Sequence, residues 1–179
     1  MAALVAFLDA ERETVLARWL DAALDTYAPD TAAVWKKNTD PFANPVRCHL
    51  ESGMRGLIAG LAAGEDPARS AVFAPHLDAI VRVRAVQDFT PSQAVGCIFL
   101  LKKAVRETLW PRLTEPDLFV ELLALESAID ILAQRAFDTY ATCREAIAQL
   151  RIEQIRRRYD RLLRRSGYVS AVRDAPESS

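Results

Sequence analysis

Residues 117–166 contain no glycine and no proline, so for about 50 residues nothing in the sequence marks the end of a helix. A continuous α-helix of that length would reach roughly 75 Å, whereas helices in globular proteins usually have ~10–14 residues. A compact domain built from 179 residues is narrower than that. The helix must therefore bend without these residues, or extend beyond its own domain and find a partner for its apolar side chains. This favours a dimeric signalling or scaffolding module over an enzyme.

The apolar residues of this helix, which we expect to start near residue 115, form two successive stripes. The first has alternating spacings of four and three and consists of Leu118, Leu122, Leu125, Ile129, Leu132 and Ala136. The register shifts near Gln149, and the second stripe then consists of Ile152, Ile155, Tyr159 and Leu162. Such spacing is typical of helices that pair with other helices. We predict that the first stripe packs into the domain core and that the second is a homodimer interface.

The second half of this helix is rich in arginine. Between residues 151 and 165 there are seven arginines, against Glu153 and Asp160 as the acidic residues. A solvated helix face is the simplest interpretation, because arginine is also favourable near a helix C-terminus. An acidic protein partner, nucleic acid and a membrane surface remain alternatives. Tyr159 is the one aromatic residue in the stretch, and no DNA-binding motif accompanies it, so we expect no nucleic-acid partner.

Composition and charge are those of a globular protein, and the compartment that we expect is the cytoplasm. The net charge is −1, so the whole chain has no electrostatic preference for nucleic acid or anionic membranes. No window approaches ~18 consecutive apolar residues, which argues against membrane insertion. The apolar start of the chain lacks a basic leader and is followed by charged residues, so we do not expect a secretory signal.

The rest of the chain predicts further helices and no strand, and the fold class is therefore all-α. The expected ranges are 3–27, a short turn at 31–37, 45–63, 67–87 with an interruption near Pro75, and 91–110. We expect residues 1–166 to form a single domain and residues 167–179 to be a flexible tail. Phe99 and its apolar neighbours make 91–110 the expected central core helix.

Two local sequence features predict further details of these helices, a capping box and a row of glycines. Thr90, Pro91 and Gln93 have the residue types and spacing of a capping box at a helix N-terminus. Gly53, Gly56 and Gly60 share one side of the 45–63 helix. They indicate that another helix approaches closely on that side, although simple tolerance of glycine is the alternative.

Residues with catalytic chemistry are sparse. The sequence has no glycine-rich phosphate loop, nucleophile elbow or zinc-protease motif, and its cysteines, Cys48, Cys97 and Cys143, are far apart. We expect these to be buried or half-buried thiols, and we expect no enzymatic activity, metal or cofactor. His76 could ligate haem, but a surface or core histidine is the simpler interpretation.

Four polar residues are candidates for binding a small ligand: Arg82, Arg84, Gln87 and His49. An arginine that faces inward must be paired, or its burial costs several kcal/mol. An internal lock at the helix junction is one interpretation. An anchor for an acidic small molecule in an apolar pocket among the 45–63, 67–87 and 91–110 helices is the other. A fatty acid or other apolar ligand would suit such a pocket.

Three stretches, residues 40–46, 80–95 and 122–130, resemble the N-terminal domain of RsbRD-type RsbT co-antagonist proteins. Their sequences are DPFANPV, IVRVRAVQDFTPSQAV and LLALESAID. The resemblance implies a sensory or regulatory helical domain, globin-like in fold but without haem, that forms dimers. In related proteins the last helix leads into a STAS domain within a large stress-signalling complex. No STAS domain follows here before Ser179, so we expect the sensor-like dimer to carry over, with a possible protein partner in signalling.

Overall fold

The computed structural model describes the backbone of residues 2–112 and 116–165, and the side chains of residues 4–111 and 118–165. Within these residues all regular structure is helical. The helices are α1 (Ala2–Ala10), α2 (Arg12–Leu24), α3 (Pro29–Lys37), α4 (Pro45–Ala62), α5 (Phe73–Val86), α6 (Pro91–Leu109) and α7 (Pro116–Arg165), with a 3₁₀ turn at Trp110–Arg112. The all-α class and the long C-terminal helix are therefore confirmed. The predicted tail at 167–179 lies outside the described residues.

The chain divides into two compact units, Met1–Thr142 and Cys143–Ser179. The first unit contains the core. Its centre is formed by side chains of α2, α4, α5 and α6 that are almost completely buried, among them Trp19, Leu50, Met54, Phe73, Ile80 and Ile98. The second unit contains the C-terminal part of α7.

The helix predicted over residues 3–27 is wrong as a single element, because it is interrupted at Glu11. The backbone of Glu11 has φ −104° and ψ 16°, which lies outside the α-helical region. Backbone hydrogen bonding nevertheless continues across the interruption. The Glu11 amide donates to Phe7 at 2.8 Å, and the Glu11 carbonyl accepts from Val15 at 2.9 Å. Since these hydrogen bonds keep the helical spacing, the apolar period is preserved, and the sequence contains no sign of the break.

Helices α4 and α5 pack closely through the glycine face of α4, as predicted. A Cβ atom on Gly53 would lie 2.7 Å from Ile80 and 2.8 Å from the carbonyl oxygen of His76. A Cβ atom on Gly60 would lie 2.5 Å from the ring of Phe73. The predicted start of α5 was too early, since residues 67–72 form turns and Pro75 lies in the first turn of the helix.

The junction between α5 and α6 is fixed by two capping motifs. Asp88 has a left-handed backbone (φ 58°), and the amide of Phe89 donates to the carbonyl of Arg84 at 3.2 Å, which closes the end of α5. The predicted capping box is confirmed, because Thr90 accepts from the amide of Gln93 and the Gln93 side chain accepts from the amide of Thr90. Both ends of the junction are thus determined by local sequence.

Helix α6 lies in the core, as expected, but Phe99 does not face inward. Phe99 is 44% exposed, so its prediction as a core residue is wrong. The buried side chains of α6 are Ala94, Cys97, Ile98, Leu101, Ala104, Val105 and Leu109. The reason is that apolar residues surround the first turns of α6, so periodicity alone could not show which side faces inward.

The N-terminal half of α7 completes the core of the first unit. Its first stripe is buried from Leu122 to Ala136, which confirms the predicted packing. Ion pairs join it to α6, with Lys102 and Asp130 at 2.6 Å and Arg106 and Glu126 at 2.5 Å. The helix begins at Pro116, close to the predicted start near residue 115.

Candidate functional site

Every side chain from residue 148 to residue 165 is exposed, and we call this part of α7 the exposed segment. The predicted interface residues Ile152, Ile155, Tyr159 and Leu162, the second stripe, all lie in it. Their spacing of three, four and three residues places them on one side of the helix, because α-helical residues advance by about 100°. Leu162 is 56% exposed. Monomeric proteins rarely expose a continuous apolar stripe without a function.

Arginines border the second stripe. Arg151, Arg158 and Arg165 follow at intervals of seven residues along one edge, and we call them the arginine row. Among the described carboxylates none pairs with a member of this row. The other edge carries Arg156 and Leu163.

The acidic residues of the exposed segment do not neutralise the stripe edges. Glu153 forms an ion pair with Arg157 at 3.3 Å, on the side of the helix away from the stripe. Arg161 donates to the carbonyl of Arg157, again outside the stripe. The arrangement therefore offers an apolar strip with basic edges, suited to binding another helix rather than to bond chemistry.

The four predicted ligand-binding residues are not brought together in one pocket. His49 is exposed on α4. Arg82 is exposed on α5 and forms a two-pronged ion pair with Asp78, at 3.0 and 2.8 Å. Gln87 is exposed and accepts a hydrogen bond from the Tyr27 hydroxyl at 3.0 Å. Only Arg84 is buried, and it is completely so.

The surroundings of Arg84 match the first of the two interpretations of the sequence, an internal lock at the helix junction. Its Nη2 atom donates to the hydroxyl of Thr26 at 2.8 Å and to the carbonyl of Gln93 at 3.3 Å, which connects the end of α2 to α6. The guanidinium lies 4.2 Å from the centre of the Phe89 ring and 5.2 Å from that of Tyr27. Among described atoms, its Nε and Nη1 find no hydrogen-bond partner. Contacts with the Phe89 and Tyr27 rings offset part of the free-energy cost of burying these two nitrogen atoms without partners.

Burial raises the pKa of two groups near Arg84, the Tyr27 hydroxyl and the Cys97 thiol. It raises the pKa of Tyr27 to about 12, although the nearby Arg84 charge acts in the opposite direction. Burial also raises the pKa of the Cys97 thiol, which makes it a weak nucleophile. Cys143 is buried as well, whereas Cys48 is exposed, so the expectation that all three thiols are at least half-buried is wrong for Cys48. These properties are typical of a structural cluster rather than a reactive one.

An apolar cleft of about 240 Å³ lies in the first unit, between α1, the turn after α4 and α7. Leu4 and Leu8 line it from α1, Leu61 from α4, and Leu125 and Ile131 from α7. The sequence predicts a pocket elsewhere, among α4, α5 and α6. Nothing in the spacing of the α1 leucines indicates that a space remains beside them.

The cleft is small and carries little charge. Ligand pockets in proteins usually measure roughly 300–1,000 Å³, so this one lies below the common range. Glu65 at its rim is the one charged residue among those that line it. A negative rim opposes a carboxylate, which makes the cleft a poor site for a fatty acid head group.

No group of three or more histidine, cysteine, aspartate or glutamate side chains in the described parts of the chain is placed to hold a metal ion. None of the described helices combines the length and the apolar character needed to cross a membrane.

Comparison with known proteins identifies a protein family. The family model described as "RsbT co-antagonist protein rsbRD N-terminal domain" matches residues 13–155, about 80% of the chain. No curated protein and no solved structure matches significantly. The matched residues cover the core of the first unit and reach Ile155, the second residue of the second stripe.

Proposed function

The chain belongs to the family of RsbT co-antagonist protein rsbRD N-terminal domains, and on this premise we propose that it is a homodimeric, non-enzymatic regulatory module. Domains of this family are regulatory signalling domains, and catalysis is not known among them. The module would act in the cytoplasm of a bacterial cell by binding proteins, in response to a signal sensed by its helical core.

The observation that carries this proposal is the second stripe on the exposed segment. Burial of such a stripe against an equivalent one removes apolar surface from water, at roughly 25 cal/mol per Å². The stripe contains four apolar residues and spans about two heptads, whereas stable coiled coils generally need three to four. Self-association through it should therefore be weak, in the micromolar range or above, as suits a regulated contact.

Two leucines of the exposed segment provide a matched test. Leu162 lies in the second stripe, and Leu150 lies on the opposite side of the helix with nearly the same exposure, 58% against 56%. Leu162→Asp should weaken dimerisation at least about tenfold, since it places a charge in the interface. Leu150→Asp should leave it unchanged. Sedimentation equilibrium over a range of micromolar concentrations would measure both.

The two variants also separate a lost interface from a lost fold. Both residues are exposed, so neither substitution should change the melting temperature of the first unit's core, and circular dichroism would check this. Wild-type protein that remains monomeric at all concentrations, or equal effects of the two variants, would refute a dimer through the second stripe.

The apolar cleft supports a second candidate function, the binding of a small apolar ligand. Its leucine lining favours an uncharged molecule, Glu65 disfavours an anion, and only part of a fatty acid chain would fit. Ala128 lines the cleft, and Ala141 is exposed on α7 away from it.

A fluorescent apolar probe tests this second function. With 1-anilinonaphthalene-8-sulfonate as the anionic probe and its uncharged parent N-phenyl-1-naphthylamine, the uncharged one should bind better because of Glu65. Ala128→Trp should abolish binding by filling the cleft, whereas Ala141→Trp should not. Binding that survives Ala128→Trp would exclude the cleft as the site.

A further inference from the structure

The edges of the second stripe are unfavourable for pairing with a second copy. In a parallel pair of helices, residues at one edge face residues five positions later at the other edge of the partner. Arg151 would then face Arg156 of the second copy, and this would occur twice because of the symmetry. In an antiparallel pair the arginine row would face itself. Both orientations place like charges in contact, which opposes self-association.

The same edges are favourable for a helix with acidic residues. An arginine at each seventh position presents a planar, fully charged donor that pairs well with carboxylates. Carboxylates in the exposed segment itself do not supply this pairing, since Glu153 and Asp160 lie outside the stripe edges. Nucleic acid would use the arginines but would leave Ile152, Ile155 and Leu162 in water. An amphipathic helix uses both features.

We propose that the exposed segment binds an acidic amphipathic helix of another protein, which displaces the second copy. This inference rests on the proposed function in one respect, because it assigns the second stripe as the contact surface. The occupant would carry apolar residues at alternating spacings of three and four, with glutamate or aspartate at both edges. The homodimer is then a weak resting state, and exchange of the partner is the regulated event.

Synthetic four-heptad peptides test the choice of partner. Two peptides share isoleucine and leucine in the stripe and differ only at the edges, with glutamate in one and lysine in the other. Binding to the full chain would be followed by fluorescence anisotropy. The glutamate peptide should bind at least roughly tenfold more tightly in low salt, and the difference should shrink at 1 M salt, where charges are screened within about 3 Å.

Charge reversal on two sides of the helix provides the matched control. The triple variant Arg151→Glu, Arg158→Glu, Arg165→Glu should reverse the preference and bind the lysine peptide. The triple variant Arg157→Glu, Arg161→Glu, Arg164→Glu changes the net charge equally on the side opposite the stripe, and it should keep the preference for glutamate. If both triple variants behave alike, only net charge matters, and the proposed docking surface is wrong.

The outcomes separate this inference from the proposed homodimer. A wild-type monomer that still prefers the glutamate peptide would refute the homodimer alone. A dimer through the second stripe with no preference between the peptides would refute the acidic partner alone. Tighter binding of a random-sequence DNA duplex than of the glutamate peptide, lost in the arginine-row variant, would replace the acidic helix with nucleic acid.

Discussion

The guanidinium of Arg84 lies 4.2 Å from the centre of the Phe89 ring. The two residues belong to one turn, which a hydrogen bond between their backbones closes. Arg84 thus contributes twice to the α5–α6 junction, through its carbonyl, which accepts from the Phe89 amide, and through its side chain. Tyr140 of α7 donates to the Phe89 carbonyl at 2.6 Å, so the long helix is attached to the same turn. The junction is therefore a point where α2, α5, α6 and the first half of α7 meet.

Replacement of Arg84 by lysine should be costly. Lysine keeps the positive charge but loses the planar group that stacks on Phe89 and reaches both Thr26 and Gln93. We expect the free energy of unfolding to fall by about 2–4 kcal/mol, because the ammonium would be buried with incomplete hydrogen bonding. Urea denaturation followed by circular dichroism would measure it.

Arg82→Lys is the control for that substitution. Arg82 lies two residues away on the same helix, is exposed, and pairs with Asp78 on the surface. Its replacement should change stability by less than about 0.5 kcal/mol. Equal effects at the two positions would contradict the structural role of Arg84.

Tyr27 should make the protein sensitive to alkaline pH. Burial raises its pKa to about 12, whereas a tyrosine in the unfolded chain titrates near 10. The raised value stabilises the folded state fully below pH 10, and this contribution is lost as the pH rises from 10 to 12. In Tyr27→Phe, stability should therefore fall less over this interval than in the wild type. Urea midpoints at several pH values between 9 and 12 would show it, and parallel curves would contradict it.

Local signals in the sequence predict the start of α6 and the close packing of α4. The capping box at Thr90 depends on side chains within three residues of one another, so the sequence contains all of its determinants. The three glycines of α4 likewise indicated a close neighbour, since a helix rarely tolerates several glycines without a packing reason. The identity of that neighbour, with Phe73, His76 and Ile80 against the glycines, depends on tertiary structure and was not predictable.

Gly53→Ala should destabilise the protein, and Gly96→Ala should stabilise it. At Gly53 the added methyl group would meet a backbone carbonyl and a buried isoleucine, neither of which can move freely, at a cost of about 1–3 kcal/mol. Nothing lies within 4 Å of the corresponding position on Gly96. There alanine should add about 0.5–1 kcal/mol, since glycine is unfavourable within a helix.

The two glycine variants should shift the melting temperature in opposite directions if the α4–α5 contact is as tight as the distances indicate. Destabilisation by both would show that Gly96 has a neighbour. Stabilisation by both would show that α4 and α5 can separate at little cost.

The candidate sites were predictable only where one helix determines them. The second stripe and its arginines can be located from their spacing, because they lie on a single helix and their side chains are exposed. The ligand candidates failed to converge because their positions depend on how separate helices pack. His49, for example, lies on an exposed face of α4, whereas Arg84 lies in the interior. The cleft beside α1 was missed for the same reason.

Two adjacent residues of α6 test which face of that helix supports the core. Ile98 is completely buried, and Phe99 is 44% exposed, with Lys102 near its ring at 5.7 Å. Ile98→Ala should lower the free energy of unfolding by about 2–5 kcal/mol, since it leaves a cavity. Phe99→Ala should lower it by less than about 1 kcal/mol, although phenylalanine is the larger side chain. The opposite order in urea denaturation would mean that α6 is rotated about its axis, with Phe99 inside.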